Sequence, residues 1–173
     1  TMRAFLMILA LGLGAPAALS AQTEMPPRPG IDAAPDALVP MTPERLALIL
    51  RAIDPLAAPT GRGIALTLDD VPVLVFMDSA ADRMRAVVPV ASVEGMAPED
   101  LMRVLQANFD TALDARYAVA GGRLWSVYLH PLRSLQRDQL LSGLAQVVTL
   151  ARTYGGLYAS GAMSFGAGDS AEL

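Results

Sequence analysis

The chain has no cysteine and no lysine, and only one histidine and one tryptophan among 173 residues. Each absence removes chemistry. Without a thiol there is no disulfide, no thiolate nucleophile or ligand, and no cysteine to carry a lipid. Without a lysine ammonium there is no Schiff base and no Ser-Lys dyad. All 13 basic residues are arginine, and 17 acidic residues outweigh them to a net charge of −4. That balance disfavours nucleic acid and anionic membrane surfaces as partners. His130 stands at a strand end just before Pro131. A metal site or general base built on it needs converging imidazoles or carboxylates, and no ligand spacing in the chain supplies them. Asp69, Asp70, Asp78 and Asp82 flank one apolar run and are read as turn residues, since no glycine-spaced aspartate loop accompanies them. Gly61-Arg62-Gly63 precedes a strand instead of following one, the wrong order for a phosphate loop. The sequence is therefore read as non-catalytic, with no cofactor and no metal site.

What is present begins with a processing signal. Behind Thr1, Arg3 gives a short positive region, Ala4 to Gly14 an apolar run, and Ala18-Leu19-Ser20-Ala21 a small-residue exit. Residues 1–21 read as a secretory signal peptide, because the run falls short of the roughly 20 apolar residues a spanning helix needs. The expectation is a periplasmic protein with no membrane span after cleavage. Removing Arg3 leaves 12 arginines against 17 acidic residues, a net charge of 12 − 17 = −5. Residues 22–41 are proline-rich and aperiodic and read as a linker, and residues 161–173 as a small-residue tail.

Between these lie the periodic segments. In "MTPERLALILRAIDP" Thr42 is placed to cap, Pro43 takes the first helical position, and Leu46, Ile49, Leu50 and Ile53 recur at helical spacing. Met41 and Leu46 form a hydrophobic staple. Three strands follow, around Ile64–Leu68, Val71–Met77 and Met84–Val90, joined by aspartate-bearing turns into an antiparallel meander. Pro72 and Pro89 belong at strand starts, ends or edges. A second helix after "MAPEDL" carries Leu101, Leu105, Phe109 and Leu113 and is expected to bury that stripe. "ARYAVAGGRLWSVYLHPL" is a β-hairpin turning at Gly121-Gly122. Ser134 then caps a long third helix that frays or ends near Gly155-Gly156.

The hairpin sets a question of sidedness. A two-residue turn pairs 120 with 123, 119 with 124, 118 with 125 and 117 with 126, and opposed residues share a face. Small Ala118 opposite large Trp125 suits a packed interior, so the Trp125 face is assigned to the helix-covered core. The other face carries Tyr117, Val119, Leu124 and Tyr128, and these four are the candidate partner-binding residues. A register slip of one residue exchanges the two faces.

The order helix, three strands, helix, two strands, helix, together with Leu105-Gln106-Ala107-Asn108-Phe109 and the "RYAVAGGRLWSVYLHPL" hairpin, resembles the YbjN-type domains, which look like relatives of type III secretion chaperones in fold. The resemblance covers roughly Thr42 to Ser160. It implies an α+β domain at 42–160 with a five-stranded antiparallel sheet, acting as a protein- or peptide-binding, chaperone-like module, often a homodimer. YbjN-type proteins also carry the description of sensory transduction regulators. The signal peptide departs from cytoplasmic type III chaperones. A second reading of the residues is a small-ligand or lipid-binding sensor, with an apolar cavity between helix and sheet.

Overall fold

The structure, a computed structural model, describes residues 39–61 and 63–161. The signal peptide, most of the linker and the tail expected from the sequence lie outside them. Helix α1 (Pro43–Ile53) starts as its sequence predicts: Thr42 Oγ1 accepts a hydrogen bond from the Arg45 amide at 3.2 Å, and proline occupies the first turn. Met41, Leu46 and Leu50 are buried together, so the staple forms. Asp54 closes the helix. Its carboxylate accepts from the Leu56 and Thr67 amides, both at 2.8 Å, and thereby ties the helix exit to the sheet.

Six strands follow in one antiparallel sheet ordered β1-β2-β3-β4-β6-β5: β1 (Ala58–Thr60), β2 (Gly63–Leu68), β3 (Val71–Asp78), β4 (Arg83–Ser92), β5 (Arg116–Ala120) and β6 (Arg123–Pro131). The sheet thus has six strands, not the five expected. The extra one, β1, is a three-residue edge strand, Ala-Pro-Thr, fully exposed and without a buried face. No periodicity marks so short a strand, and Pro59 makes it read as linker.

The meander β2-β3-β4 and the hairpin β5-β6 form as the sequence predicts. In the hairpin Ala120 pairs with Arg123 and Tyr117 with Ser126, and both turn glycines have positive φ (57° and 70°). Asp69 and Asp70 take the same left-handed conformation at the β2-β3 turn, with φ of 48° and 63°. Pro72 lies near the start of β3. Pro89 lies within β4, where the register against β6 shifts between Pro89 and Ala91, so a bulge accommodates its missing donor.

Helix α2 (Pro98–Asp110) runs beside the β5 edge, and α3 (Arg137–Arg152) packs across β4 and β6. The cap of α3 is Gln136, not Ser134: Gln136 and Gln139 exchange side-chain and backbone bonds as a capping box. The helix ends at Arg152, ahead of Gly155. It buries Leu140, Leu144, Val147, Val148 and Leu150, each worth up to about 1.5–3 kcal/mol relative to exposure. At Gly143 its backbone comes so close to the Tyr128 ring that an added Cβ would lie 2.4 Å from two ring carbons. One contiguous core of α1, α2, α3 and one sheet face results.

Candidate functional site

Alternation along the strands divides the sheet into two faces. Ile64, Leu66, Val73, Val75, Met84, Ala86, Val88, Leu124 and Tyr128 point to the helices and are buried. The register then places Leu74, Phe76, Arg85, Val87, Ala118, Trp125, Val127 and Leu129 on the opposite face, because Leu74 pairs with Val87, Val87 with Val127, Arg85 with Leu129 and Ala118 with Trp125. None of α1, α2 and α3 contributes to the core from that side.

The faces are therefore exchanged relative to the sequence expectation. Tyr117 (4% exposed), Leu124 (0%) and Tyr128 (5%) are core residues, while Val119 is 55% exposed near the hairpin tip. The four do not form a common contact surface. Tyr117 donates its hydroxyl to the Leu150 carbonyl of α3 at 2.7 Å and meets Tyr154 and Tyr158 edge-on at 6.3 Å. Burial pushes its phenol above the ordinary tyrosine pKa, and does the same for Tyr128 and Tyr154. The tyrosines turn inward because α3 offers each a fit: a carbonyl for Tyr117 and the Gly143 notch for Tyr128. Trp125 turns outward because small Ala118 lets its ring lie over β5, where Nε1 donates to the Ala120 carbonyl at 3.0 Å. The small-large pair is thus a surface feature of the hairpin.

The outward face is apolar without being covered. Phe76 is 36% exposed and Leu129 52%, while Val87 between them is held to 7% by its strand neighbours. With Trp125 and Val127 these side chains line an open groove of about 470 Å³, bordered by Arg85. A second, wider hollow of about 750 Å³ continues from Phe76 and Leu129 towards Asp78, Ser79 and Arg83 at the β3-β4 turn. Both lie outside the sheet, not between helix and sheet. A signal for this face exists in the sequence: "VPVLVFM" is apolar at every position, and a strand apolar on both faces has something to hide on each.

A second apolar surface corrects another expectation. Met102, Leu105 and Phe109 on α2 are more than half exposed, and the helix buries Val104 and Ala107 instead. The side chain of Asn108 explains this orientation. Its Oδ1 accepts from the Tyr117 amide at 2.7 Å and its Nδ2 donates to the Tyr117 carbonyl at 3.2 Å, so α2 is docked on the β5 edge like a substitute strand.

Of the chemistry-bearing residues, His130 sits at the β6 end with Nδ1 2.8 Å from the Pro131 carbonyl, to which it donates, and its ring stacks on Tyr128. Asp69 and Asp70 lie at one end of β3 and Asp78 and Asp82 at the other, roughly 26 Å apart for an eight-residue strand. They do not gather. Asp82 binds the Arg133 amide at 2.8 Å and fastens the β3-β4 turn to the loop before α3. Among the described residues no cluster of three or more His, Asp or Glu side chains is placed to hold a metal ion, and no helix is long and apolar enough to cross a membrane.

No family model matches the chain, and no curated protein matches it. Solved structures do. The ExsC–ExsE complex contains a chain with a TM-score of 0.52 and 12% identity, over 69% of this chain and 97% of that one. The HopA1–SchA chaperone-effector complex gives 0.49 and 14%, over 63% and 88%. The Yersinia pestis type III secretion chaperone SycH, in complex with a fragment of YscM2, gives 0.48 and 18%, over 63% and 98%. At such identities the likeness is one of fold alone: the chain shares the α+β fold of a chain in the ExsC–ExsE complex.

Proposed function

We propose that this protein is a non-catalytic, chaperone-like module that holds a segment of another polypeptide against the outer face of its sheet. One observation carries the reading: a six-stranded sheet roofed by helices on one side presents Phe76, Val87, Trp125, Val127 and Leu129 as a continuous apolar strip on the other. Folded monomers rarely leave such strips without a use. The fold likeness to a chain of the ExsC–ExsE complex, an assembly of two proteins, supports a polypeptide as the occupant. The open form of both grooves suits a chain laid along the sheet better than an enclosed small molecule.

The finer assignments belong to the same proposal. The protein acts in the periplasm, exported by residues 1–21; it is of the YbjN type and serves as a regulator in sensory transduction; and it is a homodimer. Fusing residues 1–21 to alkaline phosphatase tests the first of these, since the reporter is active only after export. The binding role is tested with an unfolded probe that carries no tryptophan of its own, α-synuclein. The probe is expected to shift the emission of Trp125, the one tryptophan of the chain. Phe76→Glu/Leu129→Glu, both at exposed positions, is expected to abolish the response while the protein stays folded. A probe that leaves Trp125 unchanged, or binds the double variant equally well, refutes the reading.

A further inference from the structure

We propose that the bare sheet face selects an acidic segment, an apolar run with carboxylates on both sides. This rests on the polypeptide-binding reading above and adds the chemistry of the occupant. Although the chain carries a net charge of −4, the register puts Arg83, Arg85, Arg116 and Arg123 on this one face, with Asp78 opposite Arg83 as its one acidic strand residue. All four arginines are exposed, and none forms an ion pair among the described residues.

They differ in what holds them. Arg116 is turned back onto the carbonyls of Leu113 and Ala115, and Arg83 donates to the Asp82 carbonyl. Arg85 and Arg123 have no hydrogen-bond partner among the described residues. Arg85 pairs across the ladder with Leu129, and Arg123 lies six positions back along β6 (129 − 123), so roughly 20 Å separates the two sites. Trp125 and Val127 fill the interval. Two free guanidinium groups thus bracket an apolar strip, each able to take a carboxylate in a forked, two-bond geometry. The matching segment places its carboxylates about six residues apart if extended or about 13 if helical. An anionic lipid surface or a nucleic acid fits less well: the flanking charge is broken by an apolar strip and Asp78, and the molecule as a whole is acidic.

Trp125 makes the test direct. Three synthetic peptides share one Leu- and Phe-bearing apolar face and differ only in their flanking residues: glutamate, glutamine or arginine. The glutamate peptide is expected to bind about ten-fold more tightly than the glutamine peptide at low ionic strength, an advantage that shrinks with added salt. Arg85→Gln/Arg123→Gln is expected to erase the preference, and Arg85→Glu/Arg123→Glu to transfer it to the arginine peptide; circular dichroism confirms that both variants are folded. Equal affinity for all three peptides overturns the charge selection and leaves the polypeptide-binding face standing. No response to any peptide sinks both. Tighter binding of phosphatidylglycerol vesicles or a DNA oligonucleotide than of the glutamate peptide also overturns the proposal, in favour of that class of partner.

Discussion

Gly143 and Tyr128 show how a single residue fixes which face the helices cover. A glycine inside α3 weakens the helix by about 1 kcal/mol relative to alanine on propensity alone. Here it receives the Tyr128 ring, and a methyl group would fall 2.4 Å from Cδ1 and Cε1 and 2.8 Å from Cγ. Cγ and Cδ1 lie at the backbone end of the ring and cannot swing aside, so the overpacking cost of about 1–3 kcal/mol wins over the propensity gain. Gly143→Ala is therefore expected to destabilise the fold, measured by denaturant unfolding; a rise in stability would show that the ring is free to move. Tyr117 makes a prediction in pH. Burial raises its phenol pKa above the unfolded value near 10, so the folded state holds the proton more firmly. The stability this contributes is complete below pH of about 10 and is lost as pH climbs through the folded pKa. Tyr117→Phe forfeits the hydroxyl bond to the Leu150 carbonyl, at about 1 kcal/mol near neutrality. In compensation its stability is expected to fall less steeply between pH 10 and 11.5 than that of the parent, in unfolding curves taken across that range. Parallel curves would exclude Tyr117 as a source of alkaline sensitivity.

At the scale of elements, Asn108 does the work of a strand. Its amide supplies both bonds that the outer edge of β5 needs at Tyr117, and it points α2 inward along Val104 and Ala107. Asn108→Ala leaves that edge pair without a protein partner, at a cost of about 1–3 kcal/mol. Amide exchange in β5 is expected to quicken while that in β3 and β4 stays slow; uniform quickening would mean that the bond supports the whole fold instead. The same residue shows why some elements were legible in the sequence and others were not. The α1 cap, the meander and the hairpin register follow from local rules, and each appears where those rules put it. Sidedness does not follow from local rules. Both faces of the β5-β6 hairpin carry apolar residues, and the choice between them rests on α3 contacts made far along the chain: Tyr117 with Leu150 and Tyr128 with Gly143. The Ala118–Trp125 pair is equally consistent with a core and with a ring lying across a surface strand. The stripe on α2 misleads for a related reason. Leu105 and Phe109 have core spacing, but a polar side chain at 108, invisible to a hydrophobicity pattern, decides the rotation of the helix. The candidate site inherits this error: the strand pairing was readable, and the face that matters was the other one.

For the whole molecule, two apolar surfaces remain, and they call for different occupants. The sheet face is a concave groove between arginines, shaped for a segment. The α2 surface is a row of Met102, Leu105 and Phe109 that can lie against its own copy across a two-fold axis, with a hollow of about 600 Å³ opening beside Phe109 towards Leu113 and Gln146. Three side chains fall short of the roughly 800 Å² per partner of an ordinary stable interface. Exposed Val119 does not enlarge this patch, since it lines the sheet groove instead. A homodimer joined here leaves both sheet faces open, so each assembly would carry two segment-binding grooves pointing outward. Leu105→Glu/Phe109→Glu is expected to convert a dimer to monomer in sedimentation velocity. Because both residues are exposed in the protomer, stability should change by no more than about 0.5 kcal/mol, and Trp125 should respond to the glutamate peptide as before. A parent protein that sediments as a monomer at high micromolar concentration removes the self-pairing. A double variant that stays dimeric moves the interface elsewhere, and loss of the Trp125 response in that variant would mean that the two surfaces are not independent.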